Sequence, residues 1–171
     1  MKPLQSLALT VVVAVLVSLA VAFAGGDGAV EAADLPLTVW VVVIAFGVNW
    51  IVFVPSWLLR SERFYDTTGS LTYLSVVVYL LIAGERSTRS VLLAVLVAVW
   101  AVRLGAFLTA RIIADGRDVR FSKLTEDKWL LLRTWTLQGL WVSLTLACAA
   151  AVMSDAESSD IGVLGIVGAA V

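Results

Sequence analysis

The sequence predicts an all-α protein, a polytopic transmembrane helix bundle of about five to six spans, and three observations carry that reading. Hydrophobic residues make up 61% of the 171-residue chain and charged residues only 15%, where a soluble domain keeps about a quarter of its residues charged. Mean hydropathy is +0.99. The charges sit in short clusters between long apolar runs, which is the pattern of membrane spans.

The first run covers residues 4–24, roughly the 20 residues that cross a bilayer. It reads as an anchor, or as a signal peptide with Lys2 as its charged start and Ala22-Phe23-Ala24 as the cleavage site. An acidic linker, residues 25–36, carries Asp27, Glu31 and Asp34 without a basic residue. A second span follows over residues 37–59, interrupted by Asn49 and Pro55, and residues 60–66 read as a polar loop. The third apolar segment, residues 71–83, is short for a span and reads as tilted, re-entrant or paired in a hairpin with the fourth. Residues 84–89 form a polar turn, residues 90–114 a long fourth span containing Arg103, and residues 115–128 the largest polar loop. The fifth span is expected over residues 132–153, followed by an acidic turn at 154–160 and a last apolar run at 161–171. That last run has about half the length of a span, so the sequence reads as the N-terminal part of a longer protein. All 171 residues are taken as one transmembrane domain with an incomplete final span.

Basic residues set the orientation. Of twelve, Lys2, Arg60, Arg63 and the six from Arg111 to Arg133 fall on one side. The other side has Arg86 and Arg89 against seven acidic residues. The N-terminus and the loops at 60–70 and 115–130 are therefore expected in the cytoplasm. Trp40, Trp57 and Trp135 lie near the expected span ends, where aromatic anchors sit.

Composition also excludes functions. A net charge of −1 gives no footprint for nucleic acid, so the partner that composition implies is the bilayer. With no histidine in the chain, Ser-His-Asp and Cys-His catalysis and histidine-based metal sites are excluded, and no metal is expected. The one cysteine, Cys148, lies in an apolar run and reads as a small buried residue.

A few polar residues demand a reason. Arg103 stands mid-span, where a charge costs roughly 2.5–3.5 kcal/mol on insertion scales. It either snorkels to the basic side or lines a polar cavity for an anion. Arg103, Phe107 and Arg111 recur every four residues, which puts both guanidiniums on roughly one face and makes a phosphate clamp conceivable. The segment Asp115-Gly116-Arg117-Asp118-Val119-Arg120-Phe121 mixes signs closely and also reads as a solvated loop with Gly116 ending the helix. Tyr65-Asp66 offers a phenolic proton donor beside a carboxylate that can orient it. Asn49 and Gln138 suit interhelical hydrogen bonds, and Gly105 and Gly139 suit close helix packing.

Three of these segments carry a resemblance. Arg63-Phe64-Tyr65-Asp66-Thr67-Thr68-Gly69-Ser70-Leu71-Thr72 resembles the early loop of the DUF1295 membrane proteins, relatives of the steroid 5-alpha-reductase C-terminal domain. Trp100-Ala101-Val102-Arg103-Leu104-Gly105, continued through Arg111 to Phe121, is similar to the family's arginine-leucine-glycine helix and charged loop. Gln138-Gly139-Leu140, followed by a small and aliphatic run, looks like the next family helix. The resemblance covers residues 49–152, with order and spacing matching as well as residue types.

What the resemblance implies is a membrane reductase in which NADPH gives hydride to an activated double bond of a lipophilic small molecule, an enone or sterol-like compound. It places Tyr65 and Asp66 on the catalytic side and Arg103, Arg111, Asp118 and Arg120 on the cofactor side. The family's later arginine-histidine-proline-asparagine-tyrosine motif is absent, as is the proline expected after Gln138. The chain is thus expected to hold part of a site and to need a further C-terminal segment or partner chain. The rival expectation is a non-catalytic membrane protein, a degenerate remnant or a partner subunit of a helical complex.

Overall fold

The computed structural model describes residues 3–61, 63–115, 127–157 and 161–170. These fold as α1 (Pro3–Ala24), a hairpin of β1 (Glu31–Ala32) and β2 (Leu35–Pro36), α2 (Leu37–Leu58), α3 (Tyr65–Ala83), α4 (Thr88–Asp115), α5 (Lys128–Ser154) and α6 (Val163–Ala170). Five of these helices are long and apolar enough to cross a membrane. In hydrocarbon the backbone has no water to bond, so each span must satisfy its own amides, and helices are the result. The all-α polytopic bundle expected from composition is the fold observed.

α3 differs from its expected extent. It begins at Tyr65 and runs 19 residues, about 28 Å and enough to span. The polar stretch that masked it is helical because its hydroxyls bond back to the preceding turn. Thr68 Oγ1 donates to Phe64 O at 2.6 Å, Thr72 Oγ1 to Thr68 O at 2.7 Å and Ser70 Oγ to Asp66 O at 3.4 Å. Side chains that satisfy themselves in this way cross apolar surroundings at little cost. α5 likewise starts earlier than expected, at Lys128, where the Asp127 carboxylate accepts from Trp129 N at 2.8 Å and Leu130 N at 3.4 Å. That is an N-cap.

This earlier start moves Trp135 inward. It is fully buried rather than an interfacial anchor, and Trp129, with the Lys128 ammonium 4.3 Å from its ring centroid, sits near that helix start instead. α2 ends in a Schellman turn, with Ser61 N donating to Ser56 O at 3.0 Å and Arg60 at φ 47°.

α5 is the centre of the bundle. α1, α2 and α3 pack on it, while α4 lies outermost against α3 and scarcely meets α5. The core joins Leu37, Val41 and Ala45 of α2, Tyr73, Val76, Val77 and Leu80 of α3, and Val142, Leu146 and Met153 of α5. At one end the acidic linker closes the bundle. Its hairpin turns through Ala33 and Asp34 at φ 51° and 59°, a two-residue turn of the primed kind. Trp40 Nε1 donates to Ala32 O at 2.9 Å, and Val30 N to Ser154 O at 2.7 Å.

α1 belongs to this bundle. Ala14, Ser18 and Ala22, spaced by four, are buried, the small-residue stripe that lets helices approach in a membrane. Ser18 Oγ donates to Ser143 Oγ at 3.3 Å and Thr38 Oγ1 to Ala22 O at 2.7 Å. α1 is expected to stay attached, so N-terminal sequencing of membrane-extracted protein should read through it. A mature chain starting after Ala24 would refute this.

Candidate functional site

The end of the bundle opposite the hairpin is basic, and α3 delivers Tyr65 and Asp66 to it in its first turn. A carboxylate there is favoured by the helix dipole. Successive helical residues point about 100° apart, so the two side chains reach different neighbours.

Asp66 turns to α4. Its Oδ2 lies 3.7 Å from Arg111 Nη2, with the Asp66 side chain 12% exposed and the Arg111 side chain 38%. The same interface is tied by Thr67 Oγ1 and Thr109 Oγ1 at 3.0 Å. It is close because Gly105 has no side chain: a Cβ there would lie 2.6 Å from Ser70 Oγ and 2.8 Å from Ser70 Cβ.

Tyr65 turns to α5. Its hydroxyl donates to Thr134 O at 3.3 Å, and its ring meets Trp135 edge-on at 5.3 Å. Gln138 Nε2 donates to Tyr65 O at 3.0 Å, and the Gln138 amide lies where a Gly69 side chain would be, 2.5 Å from its Cβ position. Asn49 Nδ2 reaches Thr72 Oγ1 at 3.5 Å and Trp50 Nε1 donates to Thr136 Oγ1 at 3.1 Å. The expected role of Asn49 and Gln138 in joining helices is met.

Tyr65, Asp66 and Arg111 therefore share one end of the bundle. Arg103 does not join them. Eight residues of helix carry it about 12 Å along α4 and leave it about 80° out of register with Arg111. Ala101 and Gly105 face α3, while Arg103 is exposed. The four-residue recurrence thus overstated how nearly the two arginines share a face. Asp118 and Arg120, with Gly116 and the rest of the charged loop, lie outside the described residues. Sequence reasoning missed Thr134 and Trp135 as the surroundings of Tyr65. The misplaced start of α5 hid them, and Asp127 before an apolar run was the available signal.

Two open spaces lie between the helices, apart from this cluster. One, about 300 Å³, lies at the basic end between Phe53, Trp57 and Leu58 of α2 and Lys128, Trp129 and Leu132 of α5. The other, about 620 Å³, lies at the acidic end between α4, α5 and α6. Cys148 lines the second and is exposed rather than buried, because α4 does not close upon α5. Among the described residues no group of three or more His, Cys, Asp or Glu is arranged to hold a metal.

The family model described as "Protein of unknown function (DUF1295)" matches residues 50–171. The chain belongs to the DUF1295 family. The DUF1295 match begins in α2 and takes in all of α3, α4 and α5, and so contains the Tyr65, Asp66, Arg111 and Gln138 cluster, while α1 and the hairpin precede it. No curated protein matches the chain, and no solved structure does.

Proposed function

We propose that this DUF1295 protein is part of a membrane reductase dependent on NAD(P)H and acting on a lipophilic enone or sterol-like substrate. Its basic end is the cofactor side and faces the cytoplasm. The observation that carries the reading is convergence: three segments far apart in sequence meet through Asp66–Arg111 and Gln138–Tyr65 at one end of the bundle. The positive-inside bias puts that end where soluble nicotinamide cofactors are found.

The residues suit the phosphate end of such a cofactor. The Arg111 side chain is 38% exposed beside its carboxylate partner, which leaves part of it open to the cytoplasmic side. A phosphate can therefore approach it. Arg111 would hold that group together with Arg120 of the charged segment that follows, while Arg103, about 12 Å along α4, would meet a different part of an extended dinucleotide and Asp118 would accept from a ribose hydroxyl. The chemistry a bound nicotinamide supplies is a hydride for the activated double bond. Asp66 fixes the Arg111 side chain. Tyr65 Oη, parked on Thr134 O, is the proton donor for the substrate oxygen, and Trp135 and Gln138 hold its ring and backbone in place.

Titration of the purified protein with NADPH tests this. Arg111→Ala and Arg103→Ala are each expected to weaken binding by tenfold or more, since a hydrogen bond to a charged group is worth about 1.5–3 kcal/mol. Absence of NADPH binding, or affinity unchanged in both variants, would sink the reading.

A second reading has its own support. α4 presents exposed Val95, Val99, Val102 and Phe107 beside exposed Arg103, a face suited to a partner helix in a non-catalytic complex. A second polypeptide copurifying with the protein and lost on Arg103→Leu would favour it.

A further inference from the structure

The cavity between α4, α5 and α6 follows from how the outermost helix is held. α4 is drawn onto α3 by the Gly105–Ser70 approach and by Trp100, whose ring meets Tyr73 edge-on at 4.9 Å. It therefore parts from α5 towards the acidic end and leaves about 620 Å³. Leucines line the α4 wall, at Leu92, Leu93 and Leu96, while the facing walls pair small residues such as Cys148, Ala149 and Gly165 with Val152 and Ile161. Protein interiors are close-packed, and this volume is within the range of roughly 300–1,000 Å³ typical of ligand sites.

The two ends of the cavity differ in chemistry. At its mouth stands Arg89, the one charged side chain among the described residues that line it. Seven residues separate Arg89 from Leu96, about 10 Å along the helix. At the inner end, Thr145 Oγ1 donates to Trp141 O at 2.8 Å and lies 2.7 Å from Tyr73 Oη. The same end carries Glu85 before α4 and Asp155 and Glu157 after α5, which repel anions; Arg86 donates Nε to Leu81 O, whereas Arg89 is the cation that lines the cavity itself. A cation at the membrane boundary above a long apolar slot is the complement of an anionic amphiphile.

We propose that this cavity binds an anionic amphiphile, its carboxylate or phosphate head on Arg89 and one hydrocarbon chain between α4 and α5, reaching towards Thr145. The site is separate from the Asp66–Arg111 cluster and does not rest on the reductase reading.

Cys148 makes the test direct, because it is the chain's one cysteine and lines the slot. The wild-type protein in phosphatidylcholine vesicles is labelled with N-ethylmaleimide at mildly alkaline pH, and the rate is read by intact mass. Added oleate or dioleoyl phosphatidylglycerol is expected to slow labelling by roughly tenfold when the probe reaches ten times its dissociation constant. Protection by oleate alone identifies a free fatty acid as the source, and protection by the phospholipid alone identifies a membrane lipid. Both outcomes support the site. Arg89→Gln should remove the protection and Arg89→Lys should keep most of it. Equal protection by oleyl alcohol would overturn the anionic head group, and an unchanged rate with every probe would overturn the site.

Discussion

Replacing Gly105 by leucine is expected to destabilise the bundle by about 3 kcal/mol, the upper part of the usual range for overpacking. The missing Cβ of Gly105 would stand 2.6 Å from Ser70 Oγ and 2.8 Å from Ser70 Cβ. The hydroxyl can rotate away, but the Ser70 Cβ is fixed to the α3 backbone. The two helices must therefore separate, and with them the Thr67–Thr109 contact and the Asp66–Arg111 pair. Alanine at the same position should cost less, about 1 kcal/mol, because its better helix propensity offsets part of the clash. Ser70→Gly should be harmful alone yet recover much of the loss when combined with Gly105→Ala, a non-additivity expected of direct contact. Unfolding transitions in detergent provide the measurement. Additive behaviour of the pair would mean that the helices do not meet at this point.

Residue 105 also shows what could be read before any coordinates. A glycine in an apolar run signals a close crossing, and hydropathy places the runs themselves, so the bundle and its helix order were legible. Boundaries were less so. α3 was hidden because threonine and serine score as polar, although their hydroxyls return to carbonyls of their own helix. The start of α5 was hidden because Lys128 looks like a loop residue, although the Asp127 cap permits a helix to begin there.

The candidate site divides along the same line. Tyr65, Asp66 and Arg111 stood out as polar groups flanking apolar runs, and the bundle brings them to one end. The pairing of Asp66 with Arg111 was not legible, since it depends on which faces of α3 and α4 meet. Arg103 shows the converse error. A four-residue spacing repeated twice has drifted by about 80°, enough to turn one arginine outward. The exposure of Cys148 depends on α4 leaving α5, which no local pattern encodes.

Asp66→Ala is expected to cost about 1–3 kcal/mol. Exposed ion pairs contribute roughly 0–1 kcal/mol, whereas removing one partner of a buried pair costs roughly 3–5 kcal/mol. This pair lies between, with 12% of the aspartate side chain and 38% of the arginine side chain exposed. The loss should appear in Arg111→Ala as well, but smaller, because the remaining carboxylate keeps the favourable end of the α3 dipole.

The charge-swapped double variant, Asp66→Arg with Arg111→Asp, separates the two roles assigned to this pair. If the pair only joins α3 to α4, the swap should recover a good part of the stability and leave ligand binding as it was. If Arg111 also receives a phosphate, stability should recover while NADPH affinity stays at least tenfold low, because a carboxylate now stands on α4 and a guanidinium on α3 turns into the interface. Full recovery of both would confine Asp66 and Arg111 to holding helices together and would move the cofactor side elsewhere in the chain.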